Sequence, residues 1–157
     1  MTSDSCAVFV YGLLMCPEIV HAITGKRYSM HSAALADHKR FGVSQQPGDI
    51  ALPALTDYPG HLQQGQLLMG VSAAELELLD FFEELDSGLY LRQQVRVQTG
   101  AQWLDAWCYK VGPALRPYLS GDWSPELVSS EQKQHLLTTL IPSMLDSYHN
   151  LRARPDN

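Results

Sequence analysis

Three places in the chain carry residue types that could do chemistry. The first is Tyr11-Gly12-Leu13-Leu14. The preceding Ala7-Val8-Phe9-Val10 is β-branched and aromatic and reads as a short buried strand. Pro17 suits the first turn of a following helix, and Gly25 suits its C′ position. A strand that turns through Gly12 into a helix leaves backbone N–H groups without ladder partners, and such groups hold a carboxylate or an oxyanion. The same residues also describe a plain βα turn. The second place is Glu83, seven residues after Leu76 and four after Leu79. If the segment is helical, Glu83 borders an apolar stripe. A half-desolvated carboxyl there would titrate high enough to move protons near neutral pH. A solvated helix glutamate, as Glu84 in the polar arc is expected to be, would not. The third is Cys16, expected at the N-cap before Pro17, where the helix dipole could activate a thiol. No histidine is placed to act as its base, and an indifferent cap in place of serine or aspartate explains it equally.

The elements that must position these residues follow from pattern. Ser72-Ala73-Ala74-Glu75 is a capping box, and a helix is expected from Ala73 to about Leu85, burying Leu78, Phe81, Phe82 and Leu85. Residues from about Ser32 to Val43 read as extended, and Leu62 to Val71 as a further strand. The stretch around Pro47, Gly48, Pro53 and Pro59-Gly60 reads as loop and short strand. Tyr90 to Val97 and Trp103 to Val111 alternate like strands, joined by a hairpin at Thr99-Gly100. Trp103, Trp107 and Tyr109 share one face of the second strand and suit core or pocket lining better than base stacking. His38-Lys39-Arg40 reads as a solvated face. Leu136, Leu137, Leu140, Ile141, Met144, Leu145 and Tyr148 recur at helical spacing and describe an amphipathic helix that covers the core, kinked at Pro142. The end from Arg152 to Asn157 is expected to fray. About six strands with two or three helices, not in strict alternation, give an α+β class. One domain over 1–157 is expected, with a core of about 8–111 and a helical extension of about 124–150.

The chain has 157 residues, 45% of them apolar and 18% charged, an ordinary composition for one globular domain. Eleven basic and 17 acidic side chains give a net charge of −6, which opposes nucleic acid and anionic membrane as partners. The three cysteines, Cys6, Cys16 and Cys108, are odd in number and lack CxxC spacing, and the six histidines form no HExxH pair. Neither a disulfide scaffold nor a metal site is expected. The opening residues lack a signal-peptide pattern and no apolar run reaches about 18 residues, so the cytoplasm is the expected address.

Phe9-Val10-Tyr11-Gly12-Leu13-Leu14-Met15 with Pro17-Glu18 resembles the FVYG(S/T)LM…PE opening of the γ-glutamylcyclotransferase-like family, which includes the plant avirulence-induced proteins. The resemblance continues through Ala36-Asp37-His38-Lys39-Arg40-Phe41, Tyr58-Pro59-Gly60 and Gly65-Gln66-Leu67. It is sharpest at Leu79-Asp80-Phe81-Phe82-Glu83 followed by Tyr90-Leu91-Arg92, Val95 and Val97, similar to the family's LDxxE…YxRxxVxV block. It implies a small mixed β-barrel flanked by helices. It also implies conversion of a γ-glutamyl amino acid or γ-glutamylamine to 5-oxoproline and free amine, without cofactor or metal. Glu83 then matches the catalytic glutamate. The backbone of Tyr11, Gly12, Leu13 and Leu14 matches the stretch that binds the glutamyl end, and Tyr90 and Tyr109 match cavity tyrosines. Leu13 stands where the family usually carries Ser or Thr, which keeps the backbone donors and removes a hydroxyl. The alternatives are an acyl (γ-glutamyl) transferase or deprotecting enzyme of a dedicated pathway, or a non-catalytic small-molecule binder using the same cavity.

Overall fold

The computed structural model describes residues 5–44 and 50–153. The loop expected at Pro47-Gly48 lies outside them, as does the chain after Ala153; Arg152, expected to fray, is still helical. Five strands close a barrel in the order β1-β3-β2-β4-β5, with β1 as Cys6–Val10, β2 as Met30–Gly42, β3 as Pro53–Val71, β4 as Tyr90–Thr99 and β5 as Gln102–Val111. All ladders are antiparallel except those that bring β5 beside β1 and beside β3. The fold is α+β, as expected, but with five strands rather than about six. The difference lies in β3. Pro59-Gly60 was expected to interrupt the chain there, yet residues 58–61 fall at a bulge where the register slips between Ala36/His38 and their partners Leu62 and Asp57. Pro59 therefore has no ladder bond to break. Asp37 takes a left-handed backbone (φ 62°) at this bulge, and its carboxylate accepts from the Gly60 amide at 2.9 Å. The bulge bends a ribbon that would otherwise be too long and flat to close.

Alternation along β1 divides the core in two. Ala7, Phe9 and Tyr11 belong to the cluster inside the barrel with Leu35, Leu55, Leu67, Val97 and Cys108. Val8 and Val10 face outward, beneath the helices, and share their cluster with Ile19, Ile23, Leu76, Leu79, Tyr109 and Ile141. Helix α1, Pro17–Thr24, has Pro17 in its first turn and closes on Gly25 in the left-handed region (φ 77°), as the spacing predicts. Helix α2 spans Ala73–Phe82 behind a complete capping box. It stops three residues short of the expected Leu85, and Glu84 turns left-handed (φ 52°, ψ 53°) before a short 3₁₀ turn at Leu85–Ser87.

The C-terminal stripe folds as α3, Ser130–His135, a π turn at Leu136–Leu140, and α4, Ile141–Ala153. The π turn is where a kink was expected. Pro142 has no N–H and its ring crowds the preceding turn, so the helix widens just before it. His38-Lys39-Arg40 is not a solvated face: His38 Nε2 lies 3.2 Å from Asp57, Lys39 Nζ 3.2 Å from Asp122, and Arg40 is bound as described below. Among the described residues no helix is long and apolar enough to cross a membrane.

Two expectations about stability follow. A Cβ on Gly12 would lie 2.4 Å from Cγ of Pro53, so Gly12→Ala must push β3 away from the turn. It should lower stability by about 1–3 kcal/mol in chemical denaturation, in line with overpacking elsewhere. Cys16 caps α1 without any side-chain cap hydrogen bond. Cys16→Ser should raise stability by about 0.5–1 kcal/mol in the same assay. Loss of stability on that change would show that the thiol packs in a way serine cannot replace.

Candidate active site

The end of β1 and the end of α2 meet at one cavity of about 950 Å³. Tyr11, Gly12, Leu13 and Leu14 line it, with Glu83, Tyr90 and Tyr109. The structure thus brings together the seven residues that the family resemblance points to. Cys16, Trp103 and Trp107 do not line it. Trp103 is 50% exposed on the outer surface, and Trp107 lies under the guanidinium of Arg92, 4.3 Å from it.

Each of these residues is held by an identifiable partner. Gly12 hands the chain into a 3₁₀ turn at Leu13–Met15, whose closing bonds run from Met15 N to Gly12 O at 3.0 Å and from Cys16 N to Leu13 O at 3.1 Å. That pattern leaves the amides of Leu13 and Leu14, at the start of the turn, with no backbone acceptor among the described residues. The Tyr11 side chain runs into the barrel and its hydroxyl donates to the Tyr109 carbonyl. The Tyr11 carbonyl accepts from Arg40 Nη1 at 2.7 Å. Arg40 lies in turn 5.0 Å from the ring of Trp123. Tyr11 therefore anchors the turn rather than offering a free hydroxyl. Tyr90 is similarly committed: its hydroxyl donates to the Pro53 carbonyl at 2.7 Å. Pro53 is the residue against which Gly12 packs.

Glu83 is the C-cap of α2, its amide bonded to the Leu79 carbonyl at 2.9 Å. It was expected on the flank of a longer helix; its place at the helix end instead turns it into the cavity. Its exposure is intermediate because the cavity opens beside it, but protein surrounds the carboxyl. That burial, aided by the charges of Glu84 and Asp80, raises its pKa from 4.5 to about 8. Glu84, expected to be a solvated residue in the polar arc of the helix, is exposed but lies on the left-handed turn and lines the cavity rim.

Asp80 is the residue that sequence reasoning did not single out. It accepts a hydrogen bond from Tyr109 Oη at 2.7 Å and pairs with Arg92 Nε at 2.9 Å. Burial and the adjacent Asp80 carboxylate both push the Tyr109 hydroxyl far above its ordinary pKa, so it stays a donor to Asp80. The available signal was spacing: Asp80 stands three residues before Glu83, on the same side of the helix. The other unforeseen contribution comes from the C-terminal helices, where Leu136, Leu140, Met144 and Tyr148 form one wall together with Ser143 and Ser147. The ring of Tyr148 meets that of Phe81 on α2 edge to face, with centroids 5.2 Å apart. Among the described residues no three His, Cys, Asp or Glu side chains gather as metal ligands.

This fold and this sequence have known counterparts. The chain is 33% identical over 91 residues to AIG2-like protein D of Arabidopsis thaliana, a match covering 58% of this chain and 55% of that protein. The chain thus spans little more than half the length of this relative. An Arabidopsis thaliana protein solved in solution superimposes with a TM-score of 0.65 at 21% identity, over 99% of this chain and 98% of the other. A solved structure named gamma-glutamyl cyclotransferase does so with a TM-score of 0.61 at 21% identity, over 98% and 90%. Residues 8–125 match the model of one family in particular. The chain belongs to the gamma-glutamyl cyclotransferase, AIG2-like family.

Proposed function

We propose that the protein cleaves a γ-glutamyl amide by internal cyclisation, releasing 5-oxoproline and a free amine, with Glu83 as general base and then general acid. This reading is supported by the Glu83 carboxyl, whose pKa burial raises to about 8, lying in one cavity with the amides of Leu13 and Leu14, which have no backbone acceptor among the described residues. Those are the two groups a γ-glutamyl end requires. Its α-carboxylate needs fixed donors, and the amides of Leu13 and Leu14 supply them. Its α-amine needs a proton acceptor, and Glu83 is a carboxyl in the cavity whose pKa burial raises to about 8.

The reaction balances on these groups alone. The α-amine nitrogen attacks the γ-carbonyl carbon and passes a proton to the Glu83 carboxylate. The tetrahedral carbon then expels the amide nitrogen, which takes that proton from Glu83 and leaves as amine. Cyclisation within one bound molecule makes positioning the main source of acceleration. The tethered tyrosines serve positioning: Tyr11, Tyr90 and Tyr109 spend their hydroxyls on fixed partners and so hold the cavity floor still.

Release of 5-oxoproline from a panel of γ-glutamyl compounds, followed by mass spectrometry, tests the reading directly. Glu83→Gln should lower turnover by about 10²–10⁴-fold, the range for loss of a general acid–base group. A folded Gln variant with near wild-type turnover would remove Glu83 from the mechanism. Because the base must be ionised, kcat/KM should rise with pH through about 8 and then level. Stability should move the other way. A carboxyl whose folded pKa lies above its unfolded value of 4.5 binds its proton more tightly in the native state. Its contribution is therefore fully present below about 4.5 and is lost as pH rises to about 8. Glu83→Gln should melt above the wild type at pH 8.5 and show no such advantage near pH 4.5; an equal gap at both would exclude a raised pKa.

A further inference from the structure

We infer that Arg40 is a positioning residue for the donor end of the site: its guanidinium, seated behind the Gly12 turn, supplies the positive charge that holds the α-carboxylate of the γ-glutamyl group on the amides of that turn. This rests on the cyclotransferase reading and adds to it a cation that the cavity lining lacks. The described residues lining the cavity include no Lys, Arg or His, but five acids: Glu77, Asp80, Glu83, Glu84 and Asp86. That lining repels an incoming carboxylate unless a cation acts from behind it. Two cations near the walls are spent on carboxylates, Arg92 on Asp80 at 2.9 Å and Arg152 on Glu77 at 3.2 Å.

Arg40 is placed differently. It stands on β2 opposite Leu55 of β3, and its own amide donates to the side-chain oxygen of buried Gln63 at 2.8 Å. Its guanidinium reaches the Tyr11 carbonyl at 2.7 Å and lies 5.0 Å from the ring of Trp123, which is itself tied to the Ala51 carbonyl at 3.0 Å. Among the described residues no carboxylate forms an ion pair with it; exposed Glu126 acts on it only at longer range. The charge is thus anchored without being neutralised. The Tyr11 peptide is trans, so its N–H, on Gly12, points away from the carbonyl that Arg40 holds. That N–H has no backbone acceptor among the described residues. A cation on a peptide oxygen polarises the whole peptide and makes its N–H a stronger donor. The guanidinium is also partly buried, so water screens its field less than it would at the surface. Field and polarised peptide both favour an anion at the turn.

The test compares γ-glutamyl-butylamide with γ-aminobutyryl-butylamide, which lacks only the α-carboxylate. Binding is read by calorimetry in the Glu83→Gln background, which holds either compound uncleaved, and turnover with Glu83 in place. With Arg40 present, the γ-glutamyl compound should bind about tenfold tighter or more. Arg40→Met should remove about tenfold of that affinity and raise KM by a similar factor with little change in kcat, the mark of a contact made equally in ground and transition states. Binding of the γ-aminobutyryl compound should stay as it was. Arg40→Lys keeps the charge and should keep most of the preference. Arg40→Gln keeps a donor without the charge, and gives the same reading as methionine if the methionine variant does not fold. Equal losses for both compounds overturn the inference, because Arg40 then only supports the turn. An unchanged preference in the uncharged variants overturns it as well. Equal binding of the two compounds with Arg40 present overturns both the inference and the donor role of the turn. The expected binding pattern without 5-oxoproline from the γ-glutamyl compound removes the activity and leaves the inference standing. Binding of neither compound overturns both.

Discussion

The candidate site depends on keeping one carboxyl out of water. Glu83 caps the C-terminal end of α2, and the aligned peptide dipoles of the helix place partial negative charge at that end. Burial, the dipole and the neighbouring Glu84 and Asp80 therefore act in one direction, against ionisation. Such a position costs stability at neutral pH, and the rest of the fold must offset it. The capping box at Ser72 and Glu75 fixes where α2 begins, and fully buried Leu79 pins its inner face one turn before Glu83. A shift of the helix by one residue would turn the carboxyl out of the cavity.

The opposite side of the cavity is rigid for a different reason. Three buried tyrosines could each have left a hydroxyl unpaired in the interior, which is costly. Instead each stitches one element to another: Tyr11 to β5, Tyr90 to β3, Tyr109 to α2 through Asp80. These bonds cross the barrel and connect it to the helix that bears Glu83. Tyr109 takes part in two of them, with its carbonyl facing Tyr11 and its hydroxyl facing Asp80. The floor is thus tied, through Asp80, to the helix that carries the carboxyl.

Local signals were legible wherever one residue type has a narrow set of uses. Pro17 and Gly25 bracket α1 as expected, and Ser72 with Glu75 marks the start of α2. The hairpin at Thr99-Gly100 was legible for the same reason: Gly100 takes φ 60° there. Features decided by tertiary context were not. Pro59-Gly60 reads as a break, and only the pairing of β2 with β3 reveals a bulge that tolerates it. The periodicity of α2 carries on past Phe82, so the sequence cannot show that Glu84 leaves the helix and that Glu83 becomes its cap. Asp80 stood in the LDxxE block without a role of its own, because its partners, Arg92 and Tyr109, come from two strands later in the chain. The stripe from Leu136 to Tyr148 was visible as apolar, but a stripe does not say whether it seals a core or walls a cavity; here Ile141 does the first, Leu140 the second, and Leu136 and Met144 do both.

The donors and the carboxyl proposed for chemistry obey different constraints. The donors are main-chain amides, and the turn that presents them is set by Gly12 against Pro53, not by the side chain at position 13. Leucine at that position adds an apolar side chain to the cavity lining and leaves the main-chain donors to the turn. Drying strengthens hydrogen bonds to the amides and holds the Glu83 pKa high, since both effects grow as the local dielectric falls. Apolar residues at Leu13 and along the C-terminal wall therefore act on the carboxyl as well as on the ligand. A change that makes this wall more polar would lower the Glu83 pKa even if it touched nothing near α2. The dryness of one cavity thus bears both on how strongly its amides hold a partner and on how readily the Glu83 carboxyl ionises.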